Sequence, residues 1–430
     1  MTTLPTTAPL PVRTPWLASK LRGAVEKRLG GLRGALRFHE RWSGRVSDVG
    51  QGPVAATIHV ESPAFYQALA LGGSIGAAES YAAGDWNSPD LAALVGLLVR
   101  NRPVLEQLEG GLSRVTEPLH RLAHALRPNT RKGARKNIAA HYDLGNDFFE
   151  LWLDETLTYS SGVFETPDAT LAEASTAKLD RLCRKLELRP GDRLLEIGTG
   201  WGSMALHAAG RYGARVTTTT ISEEQHERAV ERVERAGLSD RVTVLKQDYR
   251  DLRGTWDKLV SVEMIEAVGA PHLDTYLSTC ARLVRPDGQF ALQAITIADQ
   301  QFEAARDSVD FIKRYIFPGS FIPSTTAILQ SATAHTDLRL VHLEDFGPHY
   351  ARTLELWRRN MRATWEDARA LGYDETFLRL WEFYLAYCEG GFTERFLGVN
   401  QMLFRRPDNR APVHVTTFTE SPSWTPSSAT

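Results

Sequence analysis

Residues 193–202 read Arg193-Leu194-Leu195-Glu196-Ile197-Gly198-Thr199-Gly200-Trp201-Gly202, and this stretch decides the fold. A short apolar run carrying one acid is followed by three glycines at alternate positions. Glycines at such a point let the backbone turn tightly and approach a ligand closely. The residues that follow, 202–211, carry helical periodicity. Strand, glycine turn and helix in that order form the first unit of a doubly wound α/β sheet.

The alternation extends outward from this unit. Further strands are predicted at 215–221, 242–247, 258–264 and 289–295, and helices at 168–186, 222–236 and 272–284. Segments 338–346 and 396–405 supply the last strands, and 352–391 between them reads as a long helical insert rich in aromatics. The predicted fold is therefore α/β: a doubly wound, mostly parallel, Rossmann-like sheet with a helical lid, preceded by a small α+β unit. The expected domains are 1–125, 126–405 and a disordered polar tail at 406–430.

In the front unit, Leu17, Leu21, Val25, Leu29, Leu32 and Leu36 recur at helical spacing among basic residues, so 17–42 is expected to be a basic amphipathic helix. Such a helix suits an anionic bilayer, or packs as an ordinary surface helix on its own unit. Residues 45–62 read as short strands around a turn at Gly50–Pro53, and 90–100 as a buried helix. A second basic stretch, 127–136, is a linker or a phosphate-facing surface.

Bulk properties remove several function classes. The net charge of −2 argues against a nucleic-acid partner. Three cysteines without C-x-x-C spacing argue against a disulfide framework or structural zinc, and fit a reducing cytoplasm. No H-E-x-x-H metal pattern and no G-x-S-x-G hydrolase elbow is present. Neither a membrane span nor a secretory signal is expected.

Three features of the glycine turn favour S-adenosylmethionine (SAM) over a dinucleotide. The spacing is G-x-G-x-G rather than G-x-G-x-x-G, Glu196 could offset a sulfonium charge, and no acid ends the second strand, which continues Thr220-Ile221-Ser222. A dinucleotide site and a purely structural turn remain alternatives on spacing alone. Gln247-Asp248-Tyr249 follows the third strand, where a polar residue beside an aromatic could hold and stack adenine.

The chain also contains, in order, Asn137 to Asn146 (NIAAHYDLGN), Leu157-Thr158-Tyr159-Ser160-Ser161, Glu196 to Gly202, Thr220 to Gln225, Gln247 to Asp251, Ser261 to Glu266 (SVEMIE), Tyr315 to Gly319 (YIFPG) and Tyr384 to Cys388 (YLAYC). This series, over about 135–405, resembles the cyclopropane-fatty-acyl-phospholipid synthases and mycolic acid cyclopropane synthases. The resemblance implies a class I SAM-dependent methyltransferase fold. It implies methyl or methylene transfer to the double bond of unsaturated phospholipid acyl chains. The implied cofactor set is Tyr159, Ser160, Glu196, Gly198, Thr199, Gly200, Trp201, Gly202, Thr220, Gln225, Asp248 and Tyr249. Cys388 falls on the cysteine usually assigned to the active site.

The resemblance further implies a bound bicarbonate as the base, held by five groups. Glu266, Tyr350 and the backbone at Ile295 match; Ser161 stands at the Cys position and Gln293 at the His position. Neither Ser nor Gln can relay protons as an imidazole does. Methyl-branched or methylene products, with a separate reductase as a partner, are thus an alternative to ring closure. Glu266 is the expected functional acid, while Glu263 reads equally well as hydrogen-bonded structure. Other expectations are cytoplasmic localisation peripheral to the inner membrane face, membrane phospholipid as partner, a homodimer, and no metal. Readings from other classes are a small-molecule O- or N-methyltransferase and a non-enzymatic lipid-binding protein.

Overall fold

The computed structural model of the chain describes residues 15–104 and 145–412. The basic stretch 127–136, the expected boundary near 125, most of the Asn137–Asn146 motif and the tail from 413 lie outside the described residues.

The front unit opens with helix α1 (Pro15–Leu29), strands β1 (Arg33–Glu40) and β2 (Val46–Val60), helix α2 (Ala64–Ala82), the two-residue strand β3 (Trp86–Asn87) and helix α3 (Leu91–Arg100). The single helix expected over 17–42 is corrected here. The helix ends at Leu29, and Leu36, Phe38 and Glu40 are buried at every second position of β1. Gly30 and Gly31 disfavour helix continuation, and a half-buried strand has a period of two. β2 doubles back at Gly50–Pro53, so Arg37 lies opposite both Asp48 and Thr57. Val25 and Leu29 of α1 are buried in the core, so that apolar face is spent inside its own unit, while Lys20 and Lys27 stay exposed.

The main sheet has seven strands among the described residues: β4 (Arg193–Ile197), β5 (Arg215–Thr220), β6 (Val242–Lys246), β7 (Trp256–Val262), β8 (Val284–Ile297), β9 (Arg339–Asp345) and β10 (Leu397–Arg405), in the order β6-β5-β4-β7-β8-β10-β9. Strands β4 to β8 pair in parallel, and β10 runs antiparallel to β8 and β9. The order reverses on either side of β4, which places a ligand crevice at the carboxyl ends of β4, β5 and β7. The long insert is three helices, Gly347–Ala363, Trp365–Ala370 and Glu375–Thr393.

One hydrophobic core joins the front unit to this insert. Tyr81 of α2 donates to Glu382 at 2.7 Å, and Arg379 donates to the carbonyls of Tyr81 and Trp86 at 2.7 and 2.9 Å. Gly390 lets the last helix lie against α3: a Cβ there would sit 2.6 Å from Val95 Cγ1. Gly390→Val is expected to cost about 1–3 kcal/mol by overpacking. A calorimetric scan with an unchanged unfolding midpoint would show that the contact has slack.

Candidate active site

The crevice opens into a cavity of about 1060 Å³. This reaches the top of the usual single-ligand range of about 300–1,000 Å³, which leaves room for a second ligand. Its polar end is lined by Tyr159, Ser160, Glu196, Gly198, Thr199, Gly200, Trp201, Thr220, Gln225, Asp248 and Tyr249. The structure thus brings together every residue expected at the cofactor except Gly202, which opens the following helix from a left-handed conformation. Its other end is apolar and borrows Leu69, Ile75, Leu94, Val95 and Leu98 from α2 and α3. α2 kinks at the cavity through Gly73, at φ +54° and ψ −135°.

Local chemistry explains the polar end. Gly198 and Gly200 have φ of +98° and +52°. A Cβ added at Gly200 would meet nothing within 4 Å, which leaves space for a ligand beside bare backbone. Thr218 donates to Thr199 at 2.7 Å, and Thr220 to Gln225 at 2.9 Å, fixing both turns. Asp248 accepts from Arg250 at 2.6 and 2.9 Å and caps the short turn that presents Tyr249. Trp201 donates to Asn146 at 2.7 Å and packs on Phe149. Phe148, Trp152 and Trp381 extend that aromatic cluster into the insert, tying the glycine turn to the lid.

A second polar cluster of the cavity centres on Glu263, immediately after β7. Its φ is +49°, a left-handed conformation that is uncommon for a non-glycine residue and tends to mark functional sites. Its Oε1 accepts from Ser161 N at 3.0 Å and Gln293 Nε2 at 2.7 Å, and its Oε2 from the Tyr350 hydroxyl at 2.7 Å. Glu266 faces the same cavity and accepts from Ile295 N at 2.5 Å. Ser161 and Gln293 are fully buried behind Glu263, and the Ser161 hydroxyl is spent on the Gly162 carbonyl. Tyr350 stacks on Phe392, and Phe317, Tyr384 and Tyr387 add aromatic wall. Tyr384 shares a 2.8 Å hydroxyl contact with Tyr159.

Burial dominates the titration of these groups. It pushes the carboxyls of Glu196 and Glu266 up to about 8, the latter with help from the charge of Glu263. Burial also raises Glu263, but Lys178 and its three donors oppose the shift. The Cys388 thiol lines the cavity and is pushed well up by burial, so it stays a neutral thiol. Sequence reasoning missed Lys178, whose buried Nζ donates to Ser160 at 2.6 Å. The available signal was a lysine in register with Leu171, Ala174 and Leu182 on the buried stripe of one helix. It also undervalued Glu263, whose partners lie up to 102 residues away.

The two implied small molecules differ in fit. SAM fits: the bare glycine backbone, the ring of Tyr249 and a Glu196 Oε2 without a hydrogen-bond partner among the described residues suit a cationic nucleoside. Bicarbonate does not fit. Ser161, Gln293 and Tyr350 already serve the Glu263 carboxylate, and Ile295 serves Glu266. No group of three or more metal-binding side chains occurs among the described residues.

The parallel sheet with its glycine turn and this cavity defines a class I SAM-dependent methyltransferase. The pattern of the family described as mycolic acid cyclopropane synthetase matches residues 129–402, and the chain belongs to that family. It is 41% identical over 368 residues to the tuberculostearic acid methyltransferase UfaA1 of Mycobacterium tuberculosis, covering 81% of this chain and 83% of that one. It is 37% identical over 357 residues to the cyclopropane-fatty-acyl-phospholipid synthase of Escherichia coli, covering 83% and 89%. The crystal structure of the mycolic acid cyclopropane synthase CmaA1 with S-adenosylhomocysteine and CTAB superposes with a TM-score of 0.59 at 32% identity. That match covers 98% of CmaA1 but 63% of this chain.

Two outcomes are expected. Asparagine tolerates the left-handed backbone, so Gly200→Asn should fold while its side chain fills cofactor space. SAM affinity should fall about tenfold or more by titration calorimetry, a loss of about 1.4 kcal/mol; unchanged affinity would move the cofactor elsewhere. Secondly, carboxyls near 8 are mostly protonated at pH 7, and an arriving sulfonium favours their ionised form. SAM binding should therefore release protons and tighten as pH rises from about 6 to about 8. Binding heats that are equal in buffers of different ionisation enthalpy would contradict this.

Proposed function

We propose that the chain transfers the methyl group of SAM to the double bond of an unsaturated phospholipid acyl chain, with Glu263 as the base that completes the reaction. The observation that carries this reading is a carboxylate fixed by three donors, facing a cavity that joins a cofactor turn to an apolar channel. SAM, when bound, supplies an electrophilic methyl group on a sulfonium. The residues of the chain do the rest. Leu69, Ile75, Leu94 and Leu98 exclude water and align the acyl chain. The aromatic faces of Phe317, Tyr384 and Tyr387 stabilise the cation that develops on the acyl chain as the alkene takes the methyl. Glu263 then removes a proton, and a buried base of raised basicity suits that task.

Loss of the proton from the added methyl closes a cyclopropane. In a second reading a hydride shift moves the cation to the methyl-bearing carbon, and loss of a proton from the added methyl then leaves a methylene branch for a separate reductase. One observation favours it. The base is a side chain whose donors are Ser161, Gln293 and Tyr350, with no imidazole among them. The identity to a methyltransferase of tuberculostearic acid points the same way. The lipid substrate places the protein against a bilayer, with Lys20 and Lys27 of α1 meeting anionic headgroups. No described helix is long and apolar enough to cross the membrane. A small-molecule acceptor would leave the apolar channel without a use.

Mass spectrometry of monounsaturated phospholipid vesicles incubated with SAM and enzyme tests the reading. Acyl chains should gain one CH₂, about 14 mass units. Catalytic hydrogenation should add two hydrogens to a methylene product and none to a ring. Glu263→Gln should cut product formation by about 10²–10⁴-fold with SAM affinity nearly unchanged. Wild-type turnover in that variant would remove Glu263 from the mechanism.

A further inference from the structure

Lys178 lies on the helix Leu171–Lys185 and is 1% exposed, yet its side chain ends at the catalytic cavity. Its Nζ donates to Ser160 Oγ at 2.6 Å, and the next residue, Ser161, gives its N–H to Glu263. The ammonium and the base are therefore fastened to adjacent residues of one loop. An ammonium withdrawn from water is costly unless opposite charge offsets the loss of hydration. Three carboxyls act on it: Glu263, Asp154 and Glu196. Asp154 is already occupied by Thr156 N at 2.8 Å and Ser175 Oγ at 2.9 Å, away from the cavity wall. Glu196 is buried at the foot of the glycine turn and interacts with Thr218.

The surroundings of Glu263 show the complementary need. Ser161, Gln293 and Tyr350 are neutral donors, and Glu266 is a second buried acid that brings no positive charge. Lys178 is the cation with the largest effect on Glu263. We propose that Lys178 is a positioning residue for proton removal: it anchors the Ser160–Ser161 loop and supplies the positive charge that returns Glu263 to its carboxylate form before each turnover. This rests on the reading of Glu263 as the base. Lys178 does not touch the reacting carbons and has no bond-making role.

The test is the pH profile of kcat for Lys178→Met and Lys178→Arg, with SAM and oleoyl phosphatidylglycerol vesicles as substrates. Lys178→Met should lower kcat about tenfold or more at pH 7, with the lipid KM changed less than about threefold. Its acid limb should move up by about one pH unit or more, so that activity recovers toward alkaline pH. Lys178→Arg keeps the charge and should hold the limb at its wild-type position. A loss by the same factor at every pH, or an acid limb displaced equally in both variants, would reduce Lys178 to a packing role and overturn the inference. If Lys178→Met fails to fold, Lys178→Gln, neutral and able to keep a hydrogen bond to Ser160, takes its place: a displaced limb beside a wild-type Arg limb supports the inference and an unmoved one overturns it. Glu263→Gln separates the two readings. Full activity there removes the base and this inference together, whereas an inactive Glu263→Gln beside an unmoved Lys178→Met limb removes only the inference.

Discussion

A carboxylate can act as a base inside an apolar cavity only if the protein replaces the water it gives up. Glu263 meets that condition with donors from three distant parts of the chain: the loop at Ser161, strand β8 at Gln293, and the insert at Tyr350. Its own N–H is tied to the carbonyl of Gln293 at 2.8 Å, which fixes the left-handed turn. Sheet, loop and lid must all be in place before this carboxylate is held. A desolvated acid lacking those bonds would take up a proton and cease to be a base. The requirement explains why so much of the structure converges on one residue.

Two carboxyls share this space, and their surroundings drive them apart. Glu263 has three donors and a nearby ammonium, whereas Glu266 has one backbone donor, a like-charged neighbour and an Oε2 without a hydrogen-bond partner among the described residues. Environments that separate the affinities of neighbouring acids assign them different tasks. On the proposed reading Glu263 is the acid kept ready to accept a proton, and Glu266 the one whose ionisation responds to the cofactor.

The sheet was legible because its signals are local. Most strands show in a short apolar run and β5 in a β-branched one, and the glycine turn betrays itself through three residues whose backbone must go where side chains hinder it. The cofactor end was equally readable, since strand ends converge by topology. The catalytic end was not, because its meaning lies in contacts. Nothing near position 263 announces that Ser161 and Tyr350 will bond to it across 102 and 87 residues. Helical spacing misled over 32–40, where Leu32 and Leu36, four apart, also fit alternate strand positions and only tertiary packing chose between them. The front unit's share in the cavity was invisible for a similar reason: Leu94 and Val95 look like ordinary core until the last helix of the insert is laid beside them.

The cavity is continuous with a core built from both units, so a bound acyl chain completes that core as a buried side chain would. The product carries one carbon more than the substrate. A buried CH₂ is worth about 0.8 kcal/mol against water, but an acyl chain arrives from the bilayer, where its carbons are already withdrawn from water, so the added carbon brings no such gain. Preference between starting lipid and product is therefore set by how well the cavity wall fits the added carbon, not by hydrophobicity.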